Sequence, residues 1–418
     1  MSEATLETTT TQQGGAPPGD RPLGGGVSDY VRQWWTDVRA GELGALPIVV
    51  GIIVIAIYFQ SRNANFLTAG NFVNLIAQMG AIAIIGMGVV FVLLLGEIDL
   101  SIGFVSGMGG VIAAVLLVPD GNQTSTVVAL AAALGAGVAI GLLQGSFVAY
   151  IGVPSFVVTL AGLLAWNGVV LQVIGSKGTI VIQDKVINGL ANDYVNHTLA
   201  LALAILGTAA FLAVQLATVV RRRQAGLPNV PFVIIGAKTA VLGVLSIAAV
   251  EWADQDRGVP YVGLLMMVLL VFWTFIATRT RFGRHVYAVG GNAEAARRAG
   301  INVAGIRLAV FAISSFMAAL GGIVLASRLS SVDTSTGGGS TLLYSIAAAV
   351  IGGTSLFGGR GTVRSALLGG IVIAMVANGL GLLNVSVGTQ YIVTGIVLLA
   401  AVTLDSVSRR GRTSSGRA

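Results

Sequence analysis

Charge is scarce in this chain, so the few charged clusters stand out. The stretch "GGNAEAARRAG" (290–300) carries one Glu and two Arg at helical spacing. Asn292 fits an N-cap, because its side-chain oxygen can accept a free backbone N–H. Glu294 falls in the first turn, where the helix dipole favours an anion. Arg297 and Arg298 follow three and four residues later, so both can pair with Glu294. Gly300 is placed to end the helix. Ala293, Ala296 and Gly300 form a small-residue face. The spacing predicts a helix of about seven residues, roughly 10 Å long. Isolated helices need about 12–15 residues, so this one must dock. Two readings follow: a tidy connector, or a knob whose charged face is offered to a partner.

Two further stretches could do chemistry. Glu97 and Asp99 flank Ile98 after an apolar run. An Asp at a membrane centre costs about 2.5–3.5 kcal/mol. Such a pair must lie near an interface, cap a helix or line water. Asp99 and Ser101 fit a cap on a helix starting near 101; a place in a translocation path or gate is the alternative. "IGGTSLFGGRG" (351–361) is Gly-rich and includes Gly352, Gly353 and Thr354. A phosphate-binding loop would need Gly-x-x-x-x-Gly-Lys-Ser/Thr, and no Gly-Lys-Ser/Thr occurs. Polar backbone at membrane depth is tolerated only where protein or water covers it. The stretch therefore reads as a broken or re-entrant helix. Interrupted segments in corresponding positions often mark a transport path, and "LLGEIDLSIG" and "VIGGTSLFGGRG" sit in comparable places.

No catalytic residue and no metal site is expected. There is no cysteine, and the two histidines, His197 and His285, lack metal-ligand spacing.

The elements that must carry these stretches are membrane helices. The chain has 418 residues, 55% hydrophobic and only 10% charged, against roughly 25% charged in soluble domains. The expected fold is an all-α, polytopic membrane protein with about twelve transmembrane helices of ~20 residues each, some broken or re-entrant. They fall near 45–59, 72–95, 101–118, 126–148, 154–174, 198–220, 230–250, 260–278, 307–326, 341–356, 364–383 and 387–405. Residues 1–44 read as a disordered cytoplasmic tail with a short Trp-bearing segment, "YVRQWWTDV". Residues 406–418 read as a cytoplasmic C-terminal tail.

Lys and Arg test this count. With alternating spans and the N-terminus in the cytoplasm, eighteen of the 24 basic residues fall inside, five outside, and Lys238 within a span. That bias follows the positive-inside rule and places both termini in the cytoplasm. It also explains the net charge of +7 without nucleic acid. The largest inside loop is 279–306, which holds the charged helix. Polar residues within the spans are Asn74, Gln78, Gln144, Trp166, Asn167, Gln172 and Asn378. Such groups could line a path for a polar solute; interhelical hydrogen bonding is the alternative for each.

"EAARRAG" (294–300) resembles the EAA loop of ATP-binding-cassette import permeases. "RFGRHVYAVGGNAEAARRAGINVAGIR" (281–307), "GEIDLSIG" (96–103), "VPSFVVTLAGLLAWNGVVLQ" (153–172) and "VIGGTSLFGGRGTVRSALLGG" (350–370) resemble signature segments of the ribose/xylose/galactose branch. Spans 198–220 and 230–250 exceed what ribose-type permeases carry and look like the longer xylose-type form. The later Leu-Pro of the broad EAA consensus is absent.

The resemblance implies the plasma (inner) membrane subunit of an importer for a monosaccharide, xylose or a related pentose, working by alternating access driven by a separate ATPase subunit. Gly291, Asn292, Glu294, Ala295, Ala296, Arg297, Arg298 and Gly300 would couple it to an ATPase. Asn74, Gln78, Glu97, Asp99, Ser101, Gln144, Trp166, Asn167, Gly352, Gly353, Thr354 and Asn378 are translocation-path candidates. The implied partners are a second permease copy, a cytoplasmic ATPase and an extracytoplasmic sugar-binding protein. ATP and Mg would sit on the ATPase, with no cofactor on this chain. A transporter driven by a proton or sodium gradient would use carboxylates deep in the spans, where only Glu97 and Asp99 qualify. A permease for nucleosides or an autoinducer also stays open.

Overall fold

The computed structural model describes residues 32, 35, 44–118, 124–227 and 229–414. The expected N-terminal tail lies almost wholly outside them, as do residues 415–418. Fifteen α-helices occur among the described residues. They are α1 (Leu46–Arg62), α2 (Ala69–Leu94), α3 (Ile102–Leu116), α4 (Thr126–Ser146), α5 (Ser155–Ile174), α6 (Lys185–Asn192), α7 (His197–Gln224) and α8 (Phe232–Asp254). Then come α9 (Tyr261–Arg279), α10 (Arg281–Gly291), α11 (Ala293–Arg298), α12 (Val303–Leu329), α13 (Ser340–Ile351), α14 (Val363–Leu382) and α15 (Val387–Ser414). A π-helical turn, Phe147–Ile151, extends α4.

Each expected span has its helix, but the twelve are not equivalent. Eight of the described helices are long and apolar enough to cross a membrane. Four apolar segments are shorter: α1, α3, α13 and Val387–Val397. At about 1.5 Å per residue, the 12 residues of α13 reach well short of a ~30 Å hydrocarbon core. Non-helical chain follows it at 352–362, and Leu95–Ser101 breaks the chain between α2 and α3.

Two compact units result among the described residues, 202–248 and 44–201 with 249–414. The smaller is the α7–α8 hairpin, whose helices approach where Gly243 meets Thr208 and Thr208 Oγ1 lies 3.4 Å from Ser246 Oγ. In the larger, α2, α12 and α14 have 72, 61 and 67% of their apolar windows buried, so they form the centre. Small residues allow this. Gly137, Gly141 and Gly145 repeat every four residues along α4, and a methyl group on each would press into Ser315, Phe311, Leu308 or Ala319 of α12.

The 175–198 segment, between two of the expected spans, is structured. Strand β1 (Thr179–Val181) pairs antiparallel with β4 (Ser331–Asp333), and β2 (Tyr194–Val195) with β3 (Val259–Pro260). Asp184 caps α6 by accepting the Ile187 N–H at 2.9 Å, and its other oxygen accepts Thr126 Oγ1 at 2.7 Å. These contacts gather one set of loops at one end of the larger unit. Asn63, which donates to Leu382 O at 2.9 Å, and Phe72, stacked on Trp252 at 4.9 Å, belong to the same set.

Candidate coupling and translocation site

The predicted charged helix is α11, six residues long. Asn292 Oδ1 accepts the Ala295 N–H at 2.9 Å. Arg297 and Arg298 reach Glu294 at 2.6 and 3.3 Å. All three charged side chains are more than half exposed, so the pairs add little stability and leave a polar face open. The helix ends in a Schellman motif: Ile301 N–H bonds to Ala296 O and Gly300 N–H to Arg297 O, both at 3.0 Å. Gly300 takes φ +81°. The small-residue face is narrower than expected. Ala296 is buried and Ala293 packs on the core, but Gly300 meets nothing within 4 Å; its role is the turn. Gly291 and Ala295 are also exposed.

Helix α10 precedes it, and the sequence reading missed it. Thr280 caps it by accepting the Gly283 N–H at 3.2 Å. Gly283, Val286 and Val289 recur every three residues and are buried, while Arg281 and Arg284 on the other side are exposed. Burial pushes the Tyr287 phenol up. It therefore stays protonated and donates to Gly361 O at 2.8 Å.

The segments that carry the family resemblance meet here. Gly359 N–H donates to Leu94 O at 2.8 Å. Gly290 lies so close to that carbonyl that a methyl group would collide with it, and Gly358 is wedged against Gly290 and Gly96. Glu97 pairs with Arg307 at 3.1 Å. Ile98 N–H donates to Ser155 Oγ at 3.1 Å, and Thr159 Oγ1 to Ile98 O at 3.2 Å.

Asp99 is buried within this knot. Its Oδ1 accepts Ser101 N–H at 3.0 Å and Ser101 Oγ at 2.7 Å, and its Oδ2 accepts Ser314 Oγ at 3.0 Å. The capping expectation is corrected in detail. Ser101 stands at the N-cap but makes no side-chain cap bond. Its hydroxyl donates instead to Asp99, and Gln144 Oε1 lies 2.8 Å from the same hydroxyl oxygen. Asp99 thus ties the start of α3 to α12 and, through Ser101, lies beside α4, rather than only starting one helix.

The other path candidates divide by what they touch. Asn378 and Asn71 exchange reciprocal amide bonds at 2.9 Å, so the interhelical reading describes Asn378. Gly352 packs against Ser365 O of α14, where a methyl group would not fit; Gly353 takes φ +99°. Gln144 Nε2, Trp166 Nε1 and Thr354 Oγ1 are buried without a partner among the described residues. Asn74, Gln78 and Asn167 are half-buried and Gln172 is exposed. Local sequence gives no hint of Arg307, Ser314, Gly290 or Asn71, because their partners lie far along the chain.

Eight described helices long and apolar enough to cross a membrane, two broken segments and an exposed helical knob define a polytopic membrane protein. The family model described as branched-chain amino acid transport system / permease component matches residues 71–402, and the chain belongs to that family. It is 37% identical over 378 residues to the xylose transport system permease protein of Escherichia coli (strain K12), covering 90% of this chain and 95% of that one. The Haemophilus influenzae xylose transport system permease protein is 34% identical, covering 89% of this chain and 99% of that one. The ribose import permease protein of Escherichia coli (strain K12) is 31% identical, covering 86% and 92%. No solved structure matches the chain.

Proposed function

We propose that this chain is the transmembrane subunit of an ATP-binding-cassette importer for a monosaccharide, xylose first among them. It resides in the plasma (inner) membrane with both termini in the cytoplasm. It pairs with a second copy, two cytoplasmic ATPase subunits and an extracytoplasmic sugar-binding protein. ATP and Mg bind the ATPase. The names of the relatives support the sugar, and the basic residues, concentrated on the α11 side, support the orientation.

One observation carries the mechanism: α11 is docked by Ala293 and Ala296, yet presents Glu294, Arg297 and Arg298 outward. A push on that face enters the bundle where both broken segments meet. Asn74, Gln78, Gln144, Trp166, Asn167 and Thr354 are the path candidates that keep polar atoms without a protein hydrogen bond among the described residues. A bound sugar or water has groups to meet there. The ion-gradient alternative loses its support, since Glu97 is paired and Asp99 is hydrogen-bonded to serines.

Replacing Arg297→Glu with Arg298→Glu reverses the exposed charge. The expected result is loss of labelled xylose uptake, with the ATPase released or hydrolysing ATP unproductively. Uptake and ATPase co-purification both at wild-type level would end the coupling assignment. Uptake of a labelled panel of pentoses and hexoses by the reconstituted assembly tests the substrate.

A further inference from the structure

We infer that the five-residue segment Leu94–Ile98 is the joint that receives the stroke of α11, because it grips the chain on both sides of that helix. This rests on α11 being the coupling helix, as proposed above. Upstream, Gly290 lies two residues before the Asn292 cap, and its backbone sits against the Leu94 carbonyl with no room for a side chain. The same carbonyl accepts Gly359 N–H at 2.8 Å. Downstream, Arg307 in the first turns of α12 holds Glu97 at 3.1 Å. Glu97 is 14% and Arg307 29% exposed, so this pair is screened far less than the α11 pairs.

A rigid displacement of α11 therefore reaches Leu94–Ile98 by two routes, backbone contact from one side and charge from the other. From there it has defined exits. Ile98 is bonded through both N–H and C=O to Ser155 and Thr159 of α5. Asp99, next in the chain, is bonded to Ser314 of α12. Gly359 carries it into the second broken segment. Glu97 and Arg307 are thus positioning residues: they keep the helix that does the pushing in register with the segment that must move. Gly96, with φ +74°, lets the chain turn between the two grips.

The test exploits the absence of cysteine from the chain. In proteoliposomes holding permease, ATPase and binding protein, labelled xylose taken up per ATP hydrolysed is the readout. Glu97→Gln, which keeps shape and removes charge, is expected to lower that ratio about fivefold or more, the low end of measured coupling terms. The double variant Glu97→Cys/Arg307→Cys is expected to be uncoupled until bridged with a short bis-maleimide, and then restored. A purely structural role would not respond to a bridge added after folding. The inference is overturned if Glu97→Gln or the unbridged pair couples like wild type. It is also overturned if the bridged protein, still eluting as an intact complex with its ATPase, stays uncoupled. If reversing Arg297 and Arg298 has no effect, the coupling-helix reading itself fails and takes this inference with it. If only that reversal uncouples, α11 is the coupling helix and Leu94–Ile98 is not its joint.

Discussion

Residues 95–101 and 352–362 both leave the helix inside the bundle, yet side chains hold the first and main chain holds the second. In 95–101, Glu97 meets Arg307, Asp99 takes three hydrogen bonds, and Ile98 is bonded through both backbone groups. In 352–362, Ser355 N–H bonds only to Arg360 O, and Ser355 Oγ to Phe357 N–H, both within the loop. Its bonds to other elements include Gly359 N–H to Leu94 O and Tyr287 Oη to the Gly361 carbonyl, with Gly352, Gly353 and Thr354 N–H bonded back to α13. Gly353, Gly358 and Gly359 at φ +99°, +84° and +72° let the chain turn without side chains to lock it. Buried polar networks are rigid when satisfied. The first break is therefore tied mainly by its side chains, and the second mainly by its main chain.

The largest expected effect follows from removing the lock. Asp99→Ala leaves Ser101 N–H and Ser314 Oγ buried without their acceptor, while Ser101 Oγ can still turn to Gln144 Oε1. Each unsatisfied group costs about 1–3 kcal/mol, so a loss of roughly 2 kcal/mol or more is expected, read as a lower Tm of the purified protein. Asp99→Asn keeps an acceptor and should lose less. A loss for Asp99→Ala no greater than for substitutions in 352–362 would erase the distinction between the two breaks.

A smaller effect concerns the far end of α13, whose near end runs into the second break. There Asp333 is held below the ordinary carboxylate range, chiefly because Ser335 Oγ donates to it at 2.8 Å, with Ser335 N–H and Thr336 Oγ1 also bonded. A depressed folded value means the stabilisation is present above the unfolded pKa and is lost as pH falls through the folded one. Amide exchange in 331–339 should accelerate on acidification below the ordinary aspartate range, while 95–101 stays protected. Equal acceleration in both would show that the first break is not independently locked.

How much of this was legible in the sequence depended on distance along the chain. Helix α11 was readable to its cap, its pairs and its terminating glycine, because every interaction that shapes it lies within a few residues. The spans were readable from apolar run length, and the breaks from glycine and charge inside those runs. Helix α10 carried a usable signal, Thr280 followed by buried positions at 283, 286 and 289, but its polar faces made it look like loop. The knot was not legible. Asp99 and Ser314 are 215 residues apart, Asn71 and Asn378 are 307 apart, and nothing local to Arg307 marks it as the partner of Glu97. For the same reason the partner of Asn378, a path candidate in the sequence, was not legible: it bonds to Asn71 across two helices.

The smallest expected change in stability belongs to Thr354, at the start of the second break. Its hydroxyl is 1% exposed as a residue and has no partner among the described residues. Burying an unpaired hydroxyl costs about 1–3 kcal/mol by mutational measures, so Thr354→Val, which keeps the shape, should leave Tm at or above that of the wild type. A protein keeps such a group where another state gives it a partner, here a sugar hydroxyl or a water as 352–362 rearranges. The expected pattern is therefore a stable variant that takes up labelled xylose more slowly. Lost stability would mean that the hydroxyl is already bonded and that the second break is locked like the first. Unchanged uptake would remove Thr354 from the path while leaving the contrast between the two breaks in place.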